Sequence, residues 1–220
     1  MNIISTLFFR PCILFFDEID SFCNSRNENE SDSSRRQKTE FLVQMQNKSQ
    51  ENFFIFGATN VPWLLDPAMK RRFDKRIIFY LPDFYERKKL FEKNFSNTQV
   101  SLTKKEIEKL ASLSENFSAE NIRLVVSDAI MNKFRFVVSC SHFKKLENGL
   151  WIVSSPQQEG SVQTSLYDIG PENFFFDFQL QDFLDQFNII KPISNEEIEK
   201  YKEFQREFGE ENDYSVIFFF

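Results

Sequence analysis

The 220 residues are 41% hydrophobic and 27% charged, the composition of a folded chain of one or two domains and not of a disordered one. The five glycines stand alone at Gly57, Gly149, Gly160, Gly170 and Gly209, so no glycine-rich phosphate loop of the G-x-x-x-x-G-K-S/T or G-x-G-x-x-G type can be written, and three cysteines with one histidine make neither a C-x-x-C pair nor a zinc framework. The net charge of −6 is uneven: residues 171–220 hold 4 basic against 12 acidic residues, leaving +2 on the first 170, which argues against nucleic acid as the main partner.

Met1 to Phe16 is apolar, but Arg10-Pro11 splits the run, no small-residue cleavage site follows and the run ends in Asp17-Glu18. It is therefore read as part of the fold and not as a secretory leader. No stretch approaches the ~20 apolar residues of a membrane span, and the odd cysteine count fits a reducing compartment, so the expectation is a soluble cytosolic chain. Cys12-Ile-Leu-Phe-Phe16 reads as a buried parallel strand delivering two carboxylates to the sheet edge. Residues 24–36 are polar and read as a loop, and residues 37–46 as a helix with Phe41, Leu42 and Met45 on one face.

Phe53-Phe-Ile-Phe56 repeats the strand pattern and delivers Gly57-Ala-Thr-Asn60, and Arg76 to Leu81 is a third strand-like run ending at Pro82. Strands alternating with helices predict an α/β layer. Beyond Pro82 the periodicity becomes helical. Thr103-Lys-Lys-Glu106 and Ser194-Asn-Glu-Glu197 are capping boxes, and Ser118 caps a helix with Ile122, Val125, Val126, Ala129 and Ile130 on one stripe. Between these helices, residues 150–169 read as a β-hairpin around Ser155-Pro-Gln-Gln-Glu-Gly160. The 29 phenylalanines include Phe218, Phe219 and Phe220, an exposed apolar end.

An apolar strand ending in Asp-Glu suits nucleotide hydrolysis, with Asp17 holding Mg²⁺ directly or through water and Glu18 polarising the attacking water. The amide of Asn60, at the tip of the next strand, can orient the same water. Arg71 and Arg72, the core of the densest basic stretch, are candidates for an arginine finger. Singly, these are also ordinary strand ends, helix caps and salt-bridged loops; their order and spacing together favour the catalytic reading.

These residues resemble the AAA ATPases of the meiotic clade, in particular the vacuolar-sorting type that disassembles ESCRT-III polymers. The resemblance rests on Pro11-Cys-Ile-Leu-Phe-Phe-Asp-Glu-Ile-Asp-Ser21, Glu28 to Ser31, Arg35 to Met45, Gly57-Ala-Thr-Asn-Val-Pro-Trp-Leu-Leu-Asp66 and Arg71-Arg-Phe73. It continues through Ser141-His-Phe143, Ile190-Lys-Pro192 and Glu203 to Gly209, spanning roughly residues 10 to 212. The helical ending also suits the microtubule-severing relatives, katanin, spastin and fidgetin, while the hairpin insert favours the vacuolar-sorting type.

The resemblance implies a partial AAA+ parallel-sheet domain over residues 11–83, a helical small domain over 84–145 with a β-hairpin domain at 146–170, and C-terminal helices at 171–212, with residues 1–10 and 213–220 unmatched. It implies ATP and magnesium as cofactors, Asp17 and Glu18 as the Walker B pair, Asn60 as sensor 1, and Arg71 with Arg72 as fingers acting on a neighbouring subunit's ATP. Residues 27–34 correspond to the second pore loop. Ser118-Ala-Glu-Asn121 stands where the family has Ser-Gly-x-Asp beside the adenine, with the glycine and the aspartate replaced.

A hexameric ring of like subunits, an ESCRT-III type polypeptide substrate, an activator docking on the hairpin domain, and a cytoplasmic protein visiting endosomal membranes only indirectly are the partners and place that follow. The family's phosphate loop lies upstream of Pro11 and is not in these residues, so two expectations stand: a truncated piece of an ATPase, or a short nonenzymatic assembly or decoy subunit.

Overall fold

The computed structural model describes residues 12–23, 36, 39–43, 53–96 and 98–208, and the chain divides into two compact units, residues 1–80 with 198–220, and residues 81–197. The predicted second pore loop at 27–34 and the apolar end at 218–220 lie outside the described residues.

In the first unit β1 (Cys12–Phe16) pairs in parallel with β2 (Phe53–Gly57), in the register Cys12↔Phe53 to Phe16↔Gly57. Phe16 and Ile55 face a small core of Ile19, Phe41, Leu65 and Met69, in which the Phe16 and Phe41 rings meet edge-on at 5.1 Å. The opposite face carries the cross-strand pairs Ile13↔Phe54 and Phe15↔Phe56, all exposed. α1 (Ile19–Cys23) follows β1, residues 39–43 are helical as expected, and a 3₁₀ turn (Pro62–Leu64) and α2 (Pro67–Lys70) follow β2.

The expected third strand at Arg76–Leu81 is absent: these residues are irregular, with Ile77 and Tyr80 exposed. A strand needs a ladder partner, and among the described residues the parallel sheet has only β1 and β2. The segment is instead held by polar bonds to the C-terminal helix, from Arg76 Nη1 to the Phe208 carbonyl at 3.0 Å and from Tyr80 Oη to Gln205 Oε1.

The second unit is built on α3 (Phe84–Phe95), α4 (Lys104–Leu113) and α5 (Ala119–Ser139). Each begins at a complete capping box: Asp83 with Glu86, Thr103 with Glu106, and Ser118 with Asn121. Such a box satisfies orphan N–H groups at the helix start and fixes where each helix begins. The stripes of the three helices enclose Phe91, Phe95, Leu110, Phe117, Ile122 and Val125, with Phe183 of the short helix α7 (Leu180–Leu184) fully buried against them. Much of the phenylalanine excess is spent here and in a second core around Phe143 and Phe174.

That second core underlies a three-stranded antiparallel sheet, β4 (Trp151–Val153), β3 (His142–Lys145) and β5 (Ser161–Gln163) in that order. The insertion is where the sequence places it, but its two strands do not form a hairpin with each other. His142–Lys145 lies between them and pairs with both, so residues 154–160 cross from one edge to the other. Residues 166–169 are not strand but α6 (Leu166–Ile169), capped by Ser165, whose Oγ accepts the Asp168 N–H at 3.2 Å. α8 (Asn195–Phe208) ends the described chain, and the Ser194 hydroxyl accepts the Glu197 N–H at 3.2 Å at its start.

Candidate functional site

The apolar run of β1 stops at Asp17, where the backbone turns sharply. Glu18 has φ 49°, a left-handed conformation rare outside glycine, and its N–H donates to Asp17 Oδ1 at 3.0 Å. The turn is pinned on both sides to the end of β2: the Ala58 N–H donates to the Phe16 carbonyl at 2.8 Å, and the Ile19 N–H to the Ala58 carbonyl at 2.9 Å. Thr59 adds a side-chain tie, its hydroxyl donating to Asp20 Oδ1 and accepting the Val61 N–H at 3.1 Å. Because the strands are parallel and in register, Asp17, Glu18 and Asn60 arrive at one carboxyl edge, all three exposed.

The arginines follow on α2. Asp66 caps that helix by accepting the Ala68 N–H at 2.7 Å, and Arg71 closes it. The two side chains have different surroundings. Arg71 is exposed, whereas Arg72 is half-buried and donates from Nη1 to the Ala68 carbonyl at 2.8 Å. Neither arginine is ion-paired with Asp17 or Glu18 among the described residues. Arg71 is thus the one whose guanidinium is presented outward.

Ser118 and Asn121 lie in the second unit and serve each other. Asn121 Oδ1 accepts from the Ser118 N–H at 2.9 Å and from its hydroxyl at 2.8 Å, and the Asn121 N–H donates to Ser118 Oγ at 3.1 Å.

Sequence reasoning missed a second set of residues around the edge. Tyr201 donates its hydroxyl to the Asn60 carbonyl, and its ring meets Trp63 at 5.1 Å. The Lys70 ammonium stands 5.2 Å from the Phe204 ring centroid and 4.7 Å from that of Phe208. Burial pulls Lys70 below the ordinary lysine range, opposed by the Glu207 carboxylate. The only available signal was the spacing of Tyr201, Phe204 and Phe208 along one helical stripe.

The exposed carboxylates have the oxygen chemistry that suits magnesium, but no group of three or more His, Cys, Asp or Glu among the described residues could hold a metal alone. Magnesium sites of this kind are completed by substrate phosphates and water. The residues present therefore fit the half of a nucleotide site that faces metal and water, and they do not supply the glycine-rich backbone cradle that holds β- and γ-phosphates.

A family model for the ATPase family associated with various cellular activities (AAA) matches residues 2–81. Vacuolar protein sorting-associated protein 4B of Mus musculus is 38% identical over 217 residues, covering 92% of this chain and 49% of the relative. Vacuolar protein sorting-associated protein 4A of Homo sapiens is 37% identical over 218 residues, covering 92% of this chain and 50% of the relative. The meiotic spindle formation protein mei-1 of Caenorhabditis elegans is 44% identical over 133 residues, covering 58% and 28%. Among solved structures, the FIGL-1 AAA domain matches with a TM-score of 0.70 and 25% identity over 94% of this chain and 60% of that one. A structure titled for katanin self-assembly matches with a TM-score of 0.62 and 30% identity over 90% and 59%. The chain spans about half the length of the vacuolar sorting relatives it matches. With the family model over residues 2–81 and the relatives and solved structures that match most of its length, the chain is a partial AAA domain.

Proposed function

We propose that the chain is part of an ATPase ring that disassembles ESCRT-III polymers in vacuolar and endosomal protein sorting, and that within these 220 residues its contribution to hydrolysis is made in trans. The observation that supports this most directly is the contrast at α2. Arg71 is turned outward with no bond to its own carboxylate edge, which is the disposition a finger needs to reach a neighbour's nucleotide. The vacuolar-sorting assignment is supported by identity that runs over 92% of the chain, so that it takes in the three-stranded insertion.

Bound ATP with magnesium would supply the scissile phosphoanhydride and neutralise its charge. In a subunit whose phosphate loop completes the nucleotide site, Asp17 would hold the cation directly or through water, Glu18 would polarise the attacking water and the Asn60 amide would orient it. Ser118 and Asn121 would border the adenine. Residues 11–83 then form the α/β part of the cassette, 84–145 the small domain, 146–170 an activator-docking insertion and 171–212 the C-terminal helices, in a hexamer working in the cytoplasm at endosomal membranes. No helix among the described residues is long and apolar enough to cross a membrane. The mei-1 and katanin matches favour microtubule severing as the second reading.

The test mixes residues 1–220 with subunits of the mouse relative whose own finger arginines are replaced, and measures phosphate release from magnesium ATP. The chain alone is expected to release none above buffer. The mixture should recover part of the ~10³- to 10⁵-fold a finger is worth, and Arg71→Ala with Arg72→Ala should abolish the recovery. A soluble chain that binds the partner yet restores nothing refutes the finger role. Release of ESCRT-III subunits from a pelleted polymer, set against severing of microtubules, separates the two readings.

A further inference from the structure

One stripe of α8, Tyr201, Phe204, Gln205 and Phe208, meets the segment from Asn60 to Tyr80 through directional contacts. None of the residues of α8 is fully buried, so this attachment is not an ordinary apolar core. At one end Tyr201 holds the Asn60 carbonyl. At the other the Lys70 ammonium lies over Phe204 and Phe208, whose rings are 5.0 Å apart, and it also donates to the Trp63 carbonyl at 3.4 Å. Arg76 closes the arrangement, donating from Nη2 to the Lys70 carbonyl at 2.9 Å and from Nη1 to the Phe208 carbonyl at 3.0 Å.

We infer that α8 is a latch that positions both the Asn60 loop and the turn bearing Arg71, with Tyr201 and Lys70 as its two positioning residues. The physical reasoning starts from the peptide between Lys70 and Arg71. Its carbonyl is fixed by the planar fork of Arg76, and the side chain just before it is fixed by two ring faces, so the direction in which Arg71 leaves α2 is set by α8. A leucine at position 70 could fill the same space; only a cation gains from the negative faces of both rings at once. The Asn60 loop is tied to the same helix through the phenol, so displacing α8 moves both elements together. The inference rests on the proposed finger role of Arg71 only for its activity readout.

The test uses the full chain with Lys70→Met, which keeps the stem and removes the ammonium, Lys70→Arg, and Tyr201→Phe, which keeps the ring on Trp63. Hydrogen exchange is read for the amides of residues 58–64 and 69–73, and kcat and KM for ATP are read in the mixture with fingerless subunits. Tyr201→Phe should speed exchange in 58–64, and Lys70→Met in 69–73. Because a displacement of ~1 Å remote from the chemistry can cost ~10²-fold, Lys70→Met should lower the restored kcat about tenfold or more at unchanged KM, and Lys70→Arg should recover at least half. If Lys70→Met does not fold, Phe204→Leu with Phe208→Leu removes the ring faces and carries the same expectation. Unchanged exchange, or faster exchange with kcat intact, overturns the latch. If the unmodified chain restores no hydrolysis, the finger reading falls and exchange alone decides: faster exchange at 69–73 supports the latch and unchanged exchange overturns it.

Discussion

Gly57 sits where the two parts of the candidate site are packed together. A Cβ built on it stands 2.8 Å from Ile19 Cδ1 and 3.1 Å from Phe73 Cζ, so the bare backbone lets the helix after the carboxylates and the residue after the arginines close on one point. Ile19 is only 3% exposed and has little room to turn aside. Overpacking of this kind costs about 1–3 kcal/mol, and stiffening of the unfolded chain by alanine returns about 0.4–1 kcal/mol. Gly57→Ala is therefore expected to destabilise the first unit by roughly 1 kcal/mol.

Ile19→Val alone should cost about 0.5–1.5 kcal/mol. It removes the clashing methyl, so the double substitution should be less damaging than the sum by roughly 1 kcal/mol. The chain has two tryptophans, with Trp63 in the first unit and Trp151 in the second, so Trp63 fluorescence in a Trp151→Phe background reports the first unit alone. With a urea slope of about 1–2 kcal/mol/M the expected midpoint shift is about 0.5–1 M. A Gly57→Ala midpoint at or above the unsubstituted one, or two substitutions that simply add, would refute the close-approach argument. The same substitution should also depress the restored hydrolysis, because it pushes on Phe73 beside the arginines.

In the second unit, Arg87 is 8% exposed and donates to the Ala111 carbonyl at 3.0 Å and the Pro82 carbonyl at 2.8 Å. At about 1.5 kcal/mol for each charge-assisted bond, Arg87→Ala should cost about 3 kcal/mol, read by Trp151 in a Trp63→Phe background; Arg87→Lys should keep part of it. The Lys88–Glu108 pair, at 2.7 Å, raises the lysine and lowers the carboxylate, each chiefly through their hydrogen bond. Its contribution should be complete between the two ordinary values of 4.5 and 10.5, lost in acid as pH falls through the lowered Glu108 value and lost in alkali as pH rises through the raised Lys88 value. A Lys88→Met, Glu108→Gln double-mutant cycle across that range measures it, and added salt should shrink it.

What could be read in advance was whatever the chain encodes over three or four residues, or in one apolar run. The box at Thr103 and the cap at Ser118 form in the fold because their bonds span three residues, and the box at Asp83 and Glu86 is spelled in the same way. β1 and β2 and their carboxylate edge were legible because continuous apolar runs ended in polar residues. Arg76–Leu81 misled because strand propensity says nothing about whether a ladder partner stands beside it. The insertion misled because its central strand, His-Phe-Lys-Lys, is too short and polar to stand out beside Trp-Ile-Val. The ties that surround the candidate site were invisible for a different reason: Tyr201 meets Asn60 across 141 residues and Arg76 meets Phe208 across 132.

The outward face of the small parallel sheet decides how a purified sample will look to a dye. Ile13 and Phe54 are 67% and 58% exposed, and Phe15 and Phe56 are 56% and 48%, so four large apolar side chains stand side by side in water. A fluorescent hydrophobic probe will bind that face in the native state and glow before any heating, which is the signature normally taken for a molten globule. The burial of Phe91, Leu110 and Ile122 in the other unit is untouched by such binding. A dye-based melting curve would therefore begin bright and fall, and near-ultraviolet circular dichroism is the measurement that distinguishes an ordered chain with one bare sheet face from a collapsed one.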